Sequence, residues 1–284
     1  MPKPRTAIDY AKRLGRVAAH IAEHLDDSLP LSRLAAVANL SEFHFHRLYR
    51  ELTGETVAEA LRRLRLHRAA GDLVAGGLPI ARVARRAGYG SAAAFTRAFA
   101  AAYGMAPAAY RRRRGAVAAN PVSRNQEVDM HEVQIREFPA RRLAALRHHG
   151  AYLDIGGTFD RLLAWAGPRG LMTPGTRCLG LYYDDPQSVP AAKLRSDACL
   201  TLPPGASVEG EIRIVEQPAA RCAVARHKGP YAELERTYRW LYRSWLPQSG
   251  HEPADQPCFE EYVNDPRTLP PTEWLTDVCV PLRL

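Results

Sequence analysis

The sequence has little cysteine and no long apolar run. Its five cysteines are odd in number and widely spaced, so they do not form a disulfide framework, and they suit buried thiols in a reducing compartment. No stretch approaches the roughly 20 apolar residues that span a bilayer, and residues 1–5 do not begin the apolar core of a signal peptide. We therefore expect a cytoplasmic protein that does not act at a membrane.

Sequence motifs of catalysis and metal binding are also missing. There is no glycine-rich loop that could cradle a phosphate and no nucleophile elbow. His20 and His24 share a helix face without further ligands nearby, whereas His44 and His46 point apart. The sequence therefore predicts no catalytic residue, no cofactor and no metal site.

Positive charge is present in excess, but only in one part of the chain. Residues 1–115 carry 20 Lys and Arg against 9 Asp and Glu, whereas the rest of the chain carries 19 against 21. A composition that is merely rich in alanine and arginine would not produce this asymmetry. A cationic first domain joined to a near-neutral second one is typical of nucleic-acid binding by one part and a different role for the other.

The basic region contains one pattern twice, in residues 30–54 and 79–104. The second copy follows the first at an offset of 49, which becomes 50 after one extra residue in its turn. The matching positions include Pro30/Pro79, Arg33/Arg82, Ala35/Ala84, Ser41/Ser91, Phe45/Phe95, Arg47/Arg97 and Gly54/Gly104. Each copy reads as a short helix, a turn and a longer helix. This is the helix-turn-helix motif, whose second, or recognition, helix enters the major groove of DNA.

The recognition helix of the first copy, predicted from Ser41 to about Leu52, has two faces. Apolar residues at helical spacing form the inward stripe: Phe45, Leu48, Tyr49 and Leu52. The opposite stripe is aromatic and basic, and together with the capping serine it supplies the candidate DNA contacts Ser41, Phe43, His46, Arg47 and Arg50. Arginine can bond a guanine edge through two hydrogen bonds. The alternative is an ordinary solvated helix face, which the duplication and the charge asymmetry disfavour.

The recognition helix of the second copy, predicted from Ser91 to about Ala102, offers fewer hydrogen-bonding side chains. Its candidate DNA contacts are Ser91, Ala92, Ala93, Thr96 and Arg97. We therefore expect the first unit to supply most of the base readout. A continuous helix from about Thr56 to Val74 should join the units at a fixed spacing. Contacts to phosphates or solvent are expected from the run at 111–114 and from the arginines of this helix, Arg62, Arg63, Arg65 and Arg68.

Residues 10–112 resemble the DNA-binding domain of the AraC/XylS family of bacterial transcription regulators. The landmarks are Leu34-Ala35, Ser41, Arg47, Gly54, Ile80, Ala84, Gly88-Tyr89, Phe95, Arg97-Ala98-Phe99, Gly104, Pro107 and Tyr110-Arg111. The resemblance implies an all-α domain of seven helices that binds double-stranded promoter DNA, with RNA polymerase as a candidate further partner. The chain departs from better-known members at Ala92 and Ala93, where polar base contacts often lie.

A linker at 115–129, rich in alanine, asparagine, proline and serine, should separate the domain at 1–114 from a second one at 130–284. This second domain also repeats itself, at an offset of 79 and later 80. The identical positions include Glu137/Glu216, Pro139/Pro218, His148/His227, Gly150/Gly229, Tyr152/Tyr231, Tyr182/Tyr262 and Asp197/Asp277. Each copy reads as β-β-α-β-β. We therefore predict a multidomain chain whose second part is an α+β domain of two tandem modules with pseudo-two-fold symmetry.

The cleft expected between two such modules is a preferred place for a ligand. The copies differ where the first has Gly180 and the second has Glu260. Alternation along the strand puts Glu260 and Tyr262 on one face, with Tyr231 and Trp245 as further candidate effector-binding residues. A carboxylate beside aromatic rings suits an organic cation. The alternative, which spacing alone favours, is a solvated strand residue.

Residues 130–284 are similar to the gyrase-inhibitor-like, or GyrI-like, effector-binding domain. The similarity rests on His227-x-Gly229-Pro230-Tyr231, the helix from Trp240 to Trp245, Phe259-Glu260-x-Tyr262-x-Asn264-Asp265-Pro266, and the closing strand to Val280-Pro281. It implies that Glu260 matches a glutamate that meets ligands in the pocket of this domain. Those ligands are often lipophilic cations or other drug-like molecules.

Together the two resemblances imply a ligand-responsive bacterial transcription factor and not an enzyme. Such a protein binds promoter DNA through two helix-turn-helix units and senses a small hydrophobic molecule, cationic or neutral, as multidrug sensors do. The alternative is that the second domain hydrolyses small electrophiles. Glu260 would then act as general base, with Tyr231 or Tyr262 as the orienting group.

Overall fold

The computed structural model describes residues 4–119, 132–186 and 188–283, and within these the side chains at 4–9, 11, 43, 44, 47, 51 and 114–119 lie outside the described part. The first stretch contains the helices α1 (Pro4–Glu23), α2 (Leu31–Ala38), α3 (Glu42–Thr53), α4 (Val57–Ala75), α5 (Ile80–Arg86), α6 (Ala92–Tyr103) and α7 (Pro107–Ala119). The later stretches contain β1 (Val133–Phe138), β2 (Arg141–His149), α8 (Gly156–Ala166), β3 (Cys178–Tyr182), β4 (Arg195–Thr201), β5 (Arg213–Gln217), β6 (Ala220–Lys228), α9 (Leu234–Trp240), α10 (Leu246–Ser249), β7 (Cys258–Tyr262) and β8 (Leu275–Pro281). None of the helices in the described stretches has the length and apolar character needed to cross a bilayer.

Capping residues set the helix boundaries that the sequence predicts. Thr56 and Glu59 form a reciprocal capping box at the start of α4: Thr56 Oγ1 accepts the Glu59 N–H at 3.2 Å, and Glu59 Oε2 accepts the Thr56 N–H at 2.7 Å. Ser91 caps α6, since its Oγ accepts a backbone N–H at 3.1 Å. Both recognition helices, α3 and α6, end at a glycine with positive φ, Gly54 and Gly104. The predicted helical domain with two helix-turn-helix units is confirmed.

Two apolar cores lie on either side of α4. The first packs α1, α2, α3 and the start of α4 around Leu34 and Phe45. The second packs the rest of α4 with α5, α6 and α7, and in it the rings of Phe99 and Tyr103 stack at 4.4 Å. Because α4 contributes to both cores, it joins the two units as one rigid rod. Its 19 residues span about 28 Å at the helical rise of about 1.5 Å per residue.

Two details of this part differ from the sequence-based expectation. Leu52, predicted on the inward stripe, is 45% exposed, because it lies in the last turn of α3 next to the glycine that ends the helix. Helix α7 continues to Ala119, so the first residues of the segment predicted as a linker are helical. The remainder of that segment, 120–129, lies outside the described residues.

The second domain is an eight-stranded antiparallel sheet of order β1-β6-β8-β7-β3-β4-β2-β5. Both predicted modules are present, but they exchange their first strands: β1 pairs with β6 of the other module, and β5 pairs with β2. Only Pro139 and Ala140 separate β1 from β2, although these strands lie six positions apart in the sheet. The sheet must therefore curl until the two strands come together.

The pseudo-two-fold axis passes between β3 and β7, at the centre of this sheet. There Gly180 lies directly opposite Glu260, so the two positions that distinguish the modules in sequence are cross-strand partners. One side of the sheet encloses a core that contains Leu179 and Phe259. Helices α8 and α9 pack on the other side, over two separate cores. Glu260 is on this second side because side chains alternate along a strand.

The two domains pack directly on each other. Helix α1 lies along α8, and a Cβ added at Gly157 would come within 2.7 Å of the Ala22 Cβ. Helix α4 lies on the 3-10 turn Tyr152–Asp154 in front of α8, where a Cβ added at Gly71 would come within 2.9 Å of Leu153 Cδ1. Ala232, from the equivalent turn before α9, belongs to the core around Phe99. The interface is therefore close-packed from α1 to α4.

We expect Gly157→Ala to lower the free energy of unfolding of the full chain by about 1–3 kcal/mol, because the added methyl group overpacks the contact between α8 and α1. The matched control is Gly15→Ala in the interior of α1, where nothing lies within 4 Å of the added Cβ. This change should raise the free energy of unfolding by about 0.5–1 kcal/mol through helix propensity. Thermal and urea unfolding measure both, and equal stabilisation by the two changes would show that α8 does not pack on α1.

Candidate DNA-binding surface and effector cavity

The described candidate DNA contacts on α3 lie on its solvent-facing side. Phe45 and Tyr49 are buried in the first helical core, which turns the opposite stripe outward. Ser41, His46 and Arg50 are exposed. The side chains of the two other candidates, Phe43 and Arg47, lie outside the described part.

The candidate contacts on α6 include fewer side chains with hydrogen-bond donors than those predicted for α3. Ser91, Ala92, Ala93 and Arg97 are exposed and Thr96 is half-buried. The Thr96 hydroxyl donates to the Ala92 carbonyl at 2.8 Å, so its proton is already engaged within the helix. Arg97 is then the exposed member of this set that can present several donors at once.

The arginines along α4 do not form the solvent-facing or phosphate-facing row that the sequence suggested. Arg63 donates to Glu55 through two hydrogen bonds of 2.6 and 3.2 Å. Arg65 donates to two backbone carbonyls at 3.1 and 2.7 Å, and Arg68 pairs with an aspartate at 2.6 Å. Arg62 alone of these four is exposed. The reason is that α4 lies between two cores and against the second domain, where carbonyls and carboxylates need donors.

A cavity of about 1070 Å³ lies over the centre of the sheet. Residues of strands β3 and β7, of helices α8 and α9, and of α4 in the first domain line it. Pockets that take drug-sized ligands have volumes of about 300–1,000 Å³. The cavity is therefore large enough for a molecule with several rings.

Glu260 lies at the bottom of this cavity and is only 5% exposed. Its Oε2 accepts a hydrogen bond from the Tyr262 hydroxyl at 3.0 Å, and that hydroxyl is 2.7 Å from the Tyr182 hydroxyl. Burial raises the pKa of Glu260 to about 7, and the tyrosine hydroxyls beside it oppose part of this rise. Among the described residues no cationic side chain pairs with Glu260.

Gly180 explains why the two tyrosines can meet. Tyr182 and Tyr262 occupy the same position in the two modules, and the ring of Tyr182 lies across Gly180 on its way to Tyr262. A Cβ added at Gly180 would lie 2.7 Å from the Tyr182 hydroxyl oxygen. The absence of a side chain in one module therefore makes room for a hydroxyl next to the carboxylate of the other module.

Aromatic rings surround this carboxylate on several sides. The ring of Tyr262 contacts Phe159 at 5.2 Å and Tyr231 at 5.3 Å between centroids. Tyr231 in turn packs on Trp274 at 4.4 Å. All four rings line the cavity. Two of them, Tyr231 and Tyr262, are candidates that the sequence identified.

Trp245, the remaining aromatic candidate, does not line the cavity. A π-helical turn at Leu241–Trp245 is wider than an α-helical turn, so it rotates Trp245 away from the face that carries Tyr238 and Tyr242. The Trp245 ring packs beside His251 at 6.1 Å instead.

Sequence reasoning missed Tyr182 and Tyr238 as cavity residues. The repeat contained the signal for both. Tyr182 matches Tyr262, and Tyr238 matches Phe159 on the equivalent helix. In a pseudo-symmetric pair, positions that face the axis in one module also face it in the other.

Two family models match the chain. One, described as a GyrI-like small molecule binding domain, matches residues 131–283, and the other, described as a helix-turn-helix domain, matches residues 34–113. Among characterised proteins, a DNA gyrase inhibitor of Edwardsiella piscicida is 34% identical over 158 residues, which are 54% of this chain and 98% of the relative. The MmsAB operon regulatory protein of Pseudomonas aeruginosa is 39% identical over 95 residues, which are 34% of this chain and 31% of the relative.

A solved structure of an EcmrR–DNA complex aligns with 85% of this chain and 82% of its own, at 18% identity and a TM-score of 0.48. The two family models, in one chain, define a ligand-responsive DNA-binding regulator with an AraC-type helix-turn-helix domain. The chain belongs to the family of the GyrI-like small molecule binding domain, whose model spans more than half of its length.

The raised pKa of Glu260 predicts a pH-dependent effect of Glu260→Gln on stability. Below the ordinary glutamate pKa, the carboxyl is protonated in both folded and unfolded chains and contributes no difference. Between that value and about 7, only the unfolded chain ionises, so the wild type loses stability with rising pH, by up to about 3 kcal/mol.

Glu260→Gln removes this loss and should be more stable than the wild type at pH 8, with a smaller difference at pH 5. Urea unfolding across this range measures the difference. A variant that is destabilised more at pH 8 than at pH 5 would contradict the buried, raised-pKa carboxyl.

Proposed function

We propose that this regulator binds promoter DNA through α3 and α6 and that a small lipophilic cation in the cavity changes that binding. The observation that carries the proposal is Glu260, a buried carboxylate at the bottom of a large aromatic cavity, with no ion pair among the described residues. The cavity and the two helix-turn-helix units occur in one chain. Binding energies of effector and DNA are then linked, so each ligand changes the affinity for the other by the same factor.

The charge balance of the cavity favours a cation with one positive charge. Several other carboxylates that line it have a guanidinium partner: Asp160 with Arg63 at 3.5 Å, Asp184 with Arg195 at 2.7 Å, Glu235 with Arg239 at 2.5 Å, and Asp265 with Arg267 at 2.8 Å. Among the described residues, Glu260 has hydroxyl partners only. Ionised Glu260 can therefore gain a charge partner from a ligand, and the rings of Phe159, Tyr231 and Trp274 offer cation–π and apolar contacts to the same molecule.

We further propose that the cavity binds its ligand without converting it. The chain carries the cavity next to an AraC-type helix-turn-helix domain, and a site that reports a concentration to DNA needs reversible binding.

Tetraphenylphosphonium is a suitable probe, because it is a permanent monocation with four apolar rings. We expect the full chain to bind it, and Glu260→Gln to weaken binding by about tenfold or more through loss of the charge partner. The affinity of the wild type should rise with pH up to about 7, where Glu260 ionises, and level off above. Isothermal titration calorimetry measures each of these quantities.

The matched control for this probe is Glu261→Gln. Glu261 neighbours Glu260 in β7 but pairs with Arg141 at 3.2 Å, and Arg141 also lies over the Phe259 ring of the opposite sheet face. This variant should bind the probe as the wild type does. Equal affinities of wild type and Glu260→Gln, or a flat pH profile, would exclude Glu260 as the cation partner.

For DNA binding, the test begins with sites selected from random duplexes by the wild-type chain. Arg50→Ala should weaken binding to the selected site by about 1–3 kcal/mol and relax base preference in one half-site. Arg97→Ala should relax the base preference of the other half-site to a smaller extent, because α6 carries fewer side chains that can read bases.

The control for this test is Arg283→Ala, which removes one positive charge from an exposed surface pair in the second domain. It should leave affinity and base preference unchanged in fluorescence anisotropy. If Arg50→Ala and Arg283→Ala lower DNA affinity equally, Arg50 contributes only to the overall charge. Equal information content in both half-sites would contradict the predicted difference between the two units.

A further inference from the structure

We infer that α4, the helix joining the two helix-turn-helix units, forms part of the effector site and contacts the bound molecule directly. The inference rests on the proposed function, because it concerns the same cavity. Arg63, Leu64, His67 and Val74 all line this cavity, together with Glu260. These four residues belong to the DNA-binding part of the chain. The site is therefore composite, and part of its lining is lost without the first domain.

The opposite sides of α4 are used by the two helix-turn-helix units. Val57 and Ala60 belong to the core of the first unit, and Leu66, Ala70 and Leu73 belong to the core of the second. Helix α4 thus has three occupied faces: one for each unit and one for the cavity. A molecule that displaces α4 moves both recognition helices, since close-packed cores transmit shifts instead of absorbing them.

His67 holds the middle of α4 against the cavity. Its Nε2–H donates to the Leu153 carbonyl at 2.8 Å, and its ring lies 5.9 Å from the Tyr231 ring and 6.3 Å from the Trp274 ring. Burial lowers the pKa of His67, so the ring is neutral at physiological pH. It extends the aromatic lining around Tyr231 without adding a positive charge that would repel a cation.

Arg63 connects the cavity with the end of the first recognition helix. Its guanidinium lies between Asp160 of α8, at 3.5 Å, and Glu55, which it binds at 2.6 Å just after α3. From the other domain, Arg267 donates to the carbonyl of Thr53, the last residue of α3, at 3.0 Å. Arg63, Asp160 and Arg267 all line the cavity. The polar rim of the cavity is therefore built on the end of α3.

This arrangement assigns two roles to α4. It determines which molecules fit, because Leu64 and His67 line the same cavity as Glu260. Helix α4 also determines how a bound ligand changes DNA binding, because the same helix fixes the spacing of α3 and α6. Effector specificity and DNA response should therefore change together when the cavity-facing side of α4 changes.

The first test is direct. A triphenylphosphonium that carries a benzophenone group is bound to the full chain and irradiated, and the adducts are mapped by mass spectrometry. We expect adducts within residues 63–74 of α4 as well as on the second domain, and competition by tetraphenylphosphonium should remove both. Competed adducts confined to the second domain would overturn the inference and leave the proposed function standing. Absence of any competed adduct would defeat the proposed function itself.

The second test uses variants of the full chain. Leu64→Ala and His67→Ala should each weaken tetraphenylphosphonium binding about fivefold or more through lost apolar contact. They should also change the factor by which the probe alters DNA affinity. His67→Phe keeps the ring and should retain most of the probe affinity. Ala58→Ser, at an exposed position of the same helix that does not line the cavity, should leave both quantities within twofold of the wild type.

These variants separate contact from general destabilisation. A purely structural role for α4 would lower the thermal midpoints of Leu64→Ala and His67→Ala and leave their probe affinity and coupling factor unchanged, which would overturn the inference. Equal binding of the probe by the wild type and by Glu260→Gln would contradict the proposed function itself, whatever result the α4 variants give.

Discussion

The pairing of β3 with β7 at the pseudo-two-fold axis is the constraint on which the rest of this structure depends. It sets Gly180 opposite Glu260. One module therefore contributes the Glu260 carboxylate, and the other, which has no side chain at Gly180, leaves room beside that carboxylate. Tyr182 uses that space to reach the Tyr262 hydroxyl. A symmetric pair of glutamates would place two buried carboxylates on the axis, where mutual repulsion would keep one of them protonated. A single carboxylate leaves an unbalanced charge that a ligand can neutralise.

The same axis determines where the DNA-binding domain lies. Helices α8 and α9 leave a cleft over the axis, and the turns in front of them receive α4. Glycine at Gly71 and Gly157 allows α4 and α1 to approach this surface closely. The interface is rich in charge at one end, around Arg63 and Asp160, and aromatic in the middle, around His67 and Tyr231. A closely packed contact of this kind suits coupling between effector and DNA better than a flexible tether does.

Much of the fold could be predicted from local patterns. Helical periodicity and a capping serine located α3, α4 and α6 to within a residue or two. The offset of 79 to 80 identified the two modules and the residues that differ between them. The candidate carboxylate, Glu260, came from that difference combined with strand alternation. Its aromatic neighbours could be predicted only where they repeat. Trp245 does not line the cavity, because the π-helical turn that ends at this residue rotates it away from the face that carries Tyr238 and Tyr242.

The sequence by itself determined the two kinds of domain, the boundaries of the recognition helices and the candidate carboxylate Glu260, because periodicity, capping and internal repeats are properties of residues near one another or at a fixed offset. Only the tertiary structure decided that the modules exchange their first strands, that three of the α4 arginines serve contacts within the protein, and that α4 closes the cavity. These features depend on which surfaces meet. The contact between Arg63 and Asp160 joins residues far apart in the chain that share no motif, and its geometry follows from the packing of whole helices.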